Sequence, residues 1–190
     1  MKAHALFAAC AVGVLASALA KPPDLPTGWR QTGDAKTCQG QVLPANGGPS
    51  PRAFTLDCKP DTEGFSTLMQ QVSTADYAGK RVRLSAQLHG KQLAAWGGLW
   101  MRADSGQHMG TAFDNMSDRP LRGSFGWQQS EVVLDIPADA TLLSFGFLLR
   151  GGGVLQATQF RLEVVSQDVA ATGQDGVPVL PSQPSHLTPP

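Results

Sequence analysis

From Arg81 to Leu88 apolar and polar residues alternate strictly, with Val82, Leu84, Ala86 and Leu88 on one side and Arg81, Arg83, Ser85 and Gln87 on the other. A period of two marks a half-buried β-strand. Val132, Leu134 and Ile136 repeat the pattern against Glu131 and Asp135, and Phe160, Leu162 and Val164 repeat it against Arg161 and Glu163. Residues 142–149 form an almost unbroken apolar run, which predicts a strand covered on both faces or lying centrally in its sheet. Further strands are expected over 52–58, 65–73, 94–103 and 108–115, giving about eight in all. Turn residues separate them at Ala78-Gly79, His89-Gly90, Asp104-Ser105-Gly106, Pro137-Ala138-Asp139 and Gly151-Gly152-Gly153. Beyond the first twenty or so residues no segment shows a helical period. The pattern predicts an all-β fold, an antiparallel β-sandwich of the jelly-roll type.

The two ends of the chain read differently. One lysine, Lys2, precedes an apolar run over residues 5–20 that ends in Ala18-Leu19-Ala20. That run is short for a bilayer span and closes on the small-x-small pattern of a cleavage site, so residues 1–20 are expected to be a signal peptide cut after Ala20. Residues 21–27 are expected to be loose, residues 28–165 to form the sandwich, and the Pro-, Gly-, Ser- and Gln-rich stretch 166–190 to be a disordered tail. No second apolar segment reaches the length of a membrane span. The location expected on this reading is the periplasm or the medium.

The chain holds 15 Lys+Arg and 15 Asp+Glu, and loss of the leader removes only Lys2 of these. The basic residues are scattered, which argues against nucleic acid as a partner, since phosphate recognition needs a concentrated positive footprint. Loss of the leader also removes Cys10 and leaves Cys38 and Cys58. A lone pair in an exported chain is expected to close as a disulfide. A metal site is not expected, for no His lies near either Cys and no C-x-x-C spacing occurs. The predicted bridge ties an irregular segment around Cys38 to the strand ending at Cys58.

Reaction centres are scarce. There is no G-x-S-x-G elbow, H-E-x-x-H, P-loop or dinucleotide fingerprint, and no cofactor is implied. His89 and His108 read as exposed loop residues. A hydrolase would have to draw on Asp114, Asp118 or Glu131 without an evident partner, so an enzyme is not expected. The segment that stands out runs from Trp96 to Trp127 and interleaves three of the four tryptophans, Trp96, Trp100 and Trp127, with Arg102, Asp114, Asn115, Asp118, Arg119 and Arg122. On a strand over 98–103, Trp100 and Arg102 share one face and Leu99 and Met101 the other. An exposed indole offers a flat apolar surface to a sugar ring, while Asp, Asn and Arg bond its hydroxyls. The competing reading makes Asp114 with Arg102 or Arg119 an internal ion pair, and Trp127 a plug at the end of the core.

Two stretches carry a family resemblance. DYAGKRVRLSA (76–86) resembles the strand that opens the core of jelly-roll carbohydrate-binding modules of the galactose-binding-like fold. GLWMRADSGQHMGTAFDNMSDRPLRGSFGWQQSEVVLDIPADATLLSFGFLLRGGG (98–153) is similar to a domain that recurs in bacterial proteins of unassigned role, some of them labelled transcriptional regulators. The likeness spans roughly residues 65–165. Jelly rolls of this kind often hold a structural calcium through an Asp before the last strand, but the matching stretch here, residues 155–159, has no carboxylate. The aromatic–polar cluster on a framework of this kind points to an exported, non-catalytic binding module for a carbohydrate or cell-envelope glycan, using Trp100, Asp114, Asn115, Arg119, Arg122 and Trp127. The alternative is an envelope structural or interaction domain with a protein partner. An exposed apolar patch would favour the protein, and a concave aromatic groove the glycan.

Overall fold

A computed structural model describes residues 25–45, 47–106 and 108–173. The predicted leader, Cys10 and residues 174–190 of the predicted tail lie outside them. Nine strands and no helix are present among the described residues: β1 (Arg30–Gly33), β2 (Cys38–Pro44), β3 (Arg52–Cys58), β4 (Phe65–Ser73), β5 (Arg81–Ser105), β6 (His108–Asp114), β7 (Leu121–Asp135), β8 (Leu142–Arg150) and β9 (Gly153–Val165). Every pairing is antiparallel. The all-β sandwich expected from the alternation is the fold observed.

β5 organises the molecule. Its first half lies between β7 and β9, and β9 leads on through β3 to β2. Its second half lies between β8 and β6, and β8 leads on through β4 to β1. The two layers therefore share one long strand. Sequence predicted a turn at His89-Gly90, and here the structure differs. Gly90 pairs with Phe125 on one side and Leu155 on the other, so its backbone groups stay inside the ladder. The chain bends rather than reverses, through register shifts between Leu88 and Trp96 and a left-handed Gln92 at φ 54°. Glycine is needed at 90 because a Cβ there would sit 2.3 Å from the Phe125 ring. His89 is thus a strand residue, its ring 5.3 Å from that of Trp127.

The core fills the space between the layers. Leu68, Leu99, Met101, Leu143, Phe147 and Leu149 of one layer and Leu56, Val82, Leu84, Leu88, Val132 and Leu155 of the other are buried. The uninterrupted run 142–149 is the central strand of its layer, between β4 and β5. Its odd-numbered residues face the core, which leaves the even-numbered ones for the outer face.

β1 and β2 were not foreseen. Cys38 is the first residue of β2 and pairs directly with Cys58, the last residue of β3, and the two form a disulfide with their Cα atoms 4.0 Å apart. The bridge is confirmed, but it joins two neighbouring strands of one layer rather than an irregular segment to a strand. Both cysteines are buried in the core cluster. With a sequence separation of 20, loss of the bridge removes about 3 kcal/mol in the chain-entropy account. We predict that the Cys38→Ser/Cys58→Ser protein shows this loss in urea melts, with faster hydrogen exchange confined to β2 and β3. An unchanged melt would show that the pairing needs no crosslink.

Residues 166–173 stay attached to the sandwich. Thr172 donates its N–H to Val133 O at 2.8 Å, and its Oγ1 accepts from Val133 N at 2.7 Å. This covers the free edge of β7, a position otherwise open to pairing with another chain. Arg81 forks onto Asp135 at 2.7 Å and also donates to the carbonyls of Gln167 and Val169. Its hydrogen bond holds the Asp135 carboxyl below the usual range, against a smaller opposing effect of burial. A depressed carboxyl contributes stability above its unfolded pKa, about 4, and loses it as the pH falls through the lower folded value. Acid below about pH 4 is therefore expected to raise hydrogen exchange at residues 166–169 before the core melts. Asp135→Asn should give the same rise at neutral pH. Equal protection at pH 3 and pH 7 would show that the pair does not hold this segment.

Candidate functional site

On the outer face of the β1-β4-β8-β5-β6 layer, alternation along five strands places one residue in two toward solvent. Cross-strand register aligns these residues in rows. Phe65, Arg150 and Trp96 form the first row, on β4, β8 and β5. Thr32, Thr67 and Leu148 lie in the second, and Arg30, Met69, Gly146 and Trp100 in the third. Gln71, Ser144, Arg102 and Phe113 make the fourth. Together with Asn115 these rows border a groove of about 500 Å³.

Its floor is apolar and fixed. Trp100, Met69 and Leu148 form a small buried cluster with half-buried Trp96 packed on it. Trp100 is only 8% exposed. Its indole N–H donates to Thr67 Oγ1 at 2.7 Å across β8, and Thr67 in turn donates to Phe147 O at 2.7 Å. Gly146 is the direct cross-strand partner of Trp100. A Cβ at 146 would stand 2.1 Å from Leu68 O, so the β4–β8 contact requires glycine. Trp100 therefore lies on the face that its alternation predicts, but it is a tethered floor and not the exposed platform expected from sequence.

The walls carry the exposed aromatics. Phe65 is 51% and Phe113 40% exposed, both large apolar side chains that a monomer gains nothing by leaving in water. Polar groups lie between them. Arg30 donates to Gln71 Oε1 at 2.5 Å, and Gln71 donates to Ser144 Oγ at 2.9 Å. Arg102 is clamped by Asp104, Nε to Oδ1 at 2.9 Å and Nη2 to Oδ2 at 2.9 Å. Among the described residues no Asp or Glu lines the groove.

The six residues predicted from sequence do not form one site. Trp100 and Asn115 line the groove. Asp114, Asn115 and Arg119 border a neighbouring, more polar depression with Thr172. There Arg119 meets Asp114 at 2.5 Å and 3.2 Å and Asp118 at 2.8 Å, while Asp114 also accepts from Met116 N and Thr172 Oγ1. The Asp114 side chain is 2% exposed. Burial works against the Arg119 charge, but the hydrogen bonds and charges of Asp114 and Asp118 together outweigh it, so the guanidinium pKa is raised. The geometry is that of an internal ion pair that ties the 115–120 connection and residue 172 to the sandwich. Arg122 and Trp127 lie on β7, away from the groove. Arg122 donates to Ala95 O at 2.9 Å, and the Trp127 indole packs on Gly48, where a Cβ would come within 2.7 Å of it.

Most of the groove was not foreseen. Arg30 and Thr32 lie on an unpredicted strand. Phe65, Met69, Gln71, Leu148 and Arg150 lie on strands that were predicted, but with neither face distinguishable. In β4 the set Phe65, Thr67, Met69, Gln71 is as apolar as its complement Ser66, Leu68, Gln70, Val72. The usable signal was Trp96, which the aromatic cluster contained.

No known family profile matches the chain. A protein of Bacillus subtilis (strain 168) named as an uncharacterized HTH-type transcriptional regulator, YbfP, is 36% identical over 128 residues, which is 67% of this chain and 43% of that protein. The chain thus spans less than half of that relative's length, and no helix that could correspond to a helix-turn-helix occurs among the described residues. Among solved structures, a family 61 carbohydrate-binding module in complex with β-1,4-galactotriose aligns at TM-score 0.50 and 18% identity, over 73% of this chain and 90% of that one. A second module, from carbohydrate-binding family 16, aligns at TM-score 0.53 and 14% identity, over 72% of this chain and 91% of that one. The fold is a jelly roll like that of these two modules.

Proposed function

We propose that the chain is an exported, non-catalytic carbohydrate-binding module whose ligand lies in the groove on the outer face of β1, β4, β8, β5 and β6. The observation that carries this reading is the combination of Phe65, Trp96 and Phe113 around a rigid apolar floor, with Gln71, Asn115 and guanidinium groups between them. Aromatic rings take the C–H faces of sugars, and forked polar side chains take their hydroxyls. Among the described residues no carboxylate lines the groove, which supports binding without cleavage, because most glycoside hydrolases use a pair of them across the scissile bond. The likeness to carbohydrate-binding modules supports the same reading at the level of fold alone. Export is supported by the leader pattern of residues 1–20 and by the Cys38–Cys58 bridge, which belongs to oxidising compartments.

A glycan array, followed by pull-down on insoluble polysaccharides, tests the proposal. Retention on at least one polysaccharide is expected, without release of reducing ends. Failure to retain the protein on any glycan of a broad array would favour the alternative of a protein partner.

A further inference from the structure

Among the described residues the groove is lined by arginines and by no acid, and their partners set them apart. Arg102 is neutralised by Asp104. Arg30 bonds only the neutral Gln71 and the Met69 sulfur, and no ion pair among the described residues involves Arg30 or Arg150. Outside the groove Arg81, Arg83 and Arg119 each hold a carboxylate within 4.0 Å, whereas Arg52, Arg122 and Arg161 hold none among the described residues and stand singly rather than together in a concavity. Two guanidinium groups without an ion pair among the described residues, in one concave and partly apolar site, concentrate a positive potential there, even though the whole chain is neutral.

We propose that the groove selects acidic saccharides, those bearing a carboxylate or a sulfate ester, with Arg150 and Arg30 as the groups that read the charge; this rests on the glycan site proposed above. The first row gives the geometry. Arg150 stands on β8 directly between Phe65 on β4 and Trp96 on β5. Directly opposed side chains in a sheet have Cβ atoms about 5 Å apart. A pyranose stacked on Trp96 therefore presents substituents at its rim to the Arg150 fork, which matches the two oxygens of a carboxylate or sulfate. Arg30 lies three strands from Trp100, with Met69 and Gly146 between them. It reaches the same groove from the far wall and can hold the anionic group of another residue along the chain. Neutral sugars use the aromatic floor and walls but leave both charges without a partner.

Isothermal titration of the full chain with matched pairs tests this: oligogalacturonate against its methyl ester, and a sulfated galactan oligosaccharide against its desulfated form. The charged member of at least one pair is expected to bind at least tenfold more tightly, with the advantage shrinking between 50 and 500 mM salt. The pair that shows it identifies carboxylate or sulfate as the group read. Arg30→Gln/Arg150→Gln should abolish the difference, bringing the ratio of charged to neutral affinity to within about twofold of one. Both arginines are exposed, and an unchanged melting curve verifies the fold of the variant. Equal affinity for both members of each pair would overturn the acidic preference while leaving the glycan site standing. Failure to bind any of the four, together with an empty glycan array, would remove both.

Discussion

Trp96→Ala is expected to weaken glycan binding by roughly 30-fold, about 2 kcal/mol, with little effect on the melt. Trp96 is half-buried at the groove, packed against the Trp100–Met69–Leu148 cluster. Its loss removes a ligand surface and leaves the main core intact. Trp100→Ala should do the opposite. That indole is 8% exposed and holds the Thr67–Phe147 hydrogen-bond chain, so its removal is expected to cost about 3–5 kcal/mol of stability. Titration calorimetry and urea melts on both variants separate the two roles. If Trp96→Ala binds as tightly as the parent, the groove is not the ligand site.

The second large effect is structural. Asp114→Ala is expected to cost about 3 kcal/mol, the lower end for breaking a buried ion pair, because Arg119 keeps contact with water and with Asp118. The carboxylate is the acceptor for Arg119, Met116 N and Thr172 Oγ1 together. Its loss should release residue 172 from Val133 and expose the edge of β7, seen as faster exchange at Val133. Glycan affinity should stay within about twofold, since Asp114 does not line the groove. Unchanged stability with lost binding would return Asp114 to the role that sequence first suggested.

Where a strand buries one face and wets the other, its period was visible, as at 81–88 and 131–136, while at 160–164 the same period ends on an exposed Val164. β1 and β2 were not, because Arg-Gln-Thr-Gly and Cys-Gln-Gly-Gln carry almost no apolar period. They are strands because β4 and β3 supply partners and the disulfide fixes the register. Gly90 looked like a turn because glycine serves both turns and crowded ladder positions, and only the Phe125 ring decides between them. The aromatic–polar cluster was legible as a set, but not its partition. Burial of Trp100 depends on Thr67 and Gly146, remote in sequence, and the inward turn of Asp114 depends on Thr172. The walls of the groove come from β1, β4 and β8, so their convergence is a property of topology that no local spacing records.

The most direct test of the glycan site is an amide chemical-shift titration of the full chain with a glycan selected on the array. The perturbations should concentrate at residues 30–32, 65–71, 96–102, 113–115 and 148–150, the strands that line the groove. Perturbations centred on His89, Trp127 or Arg122, on the other layer, would contradict the account.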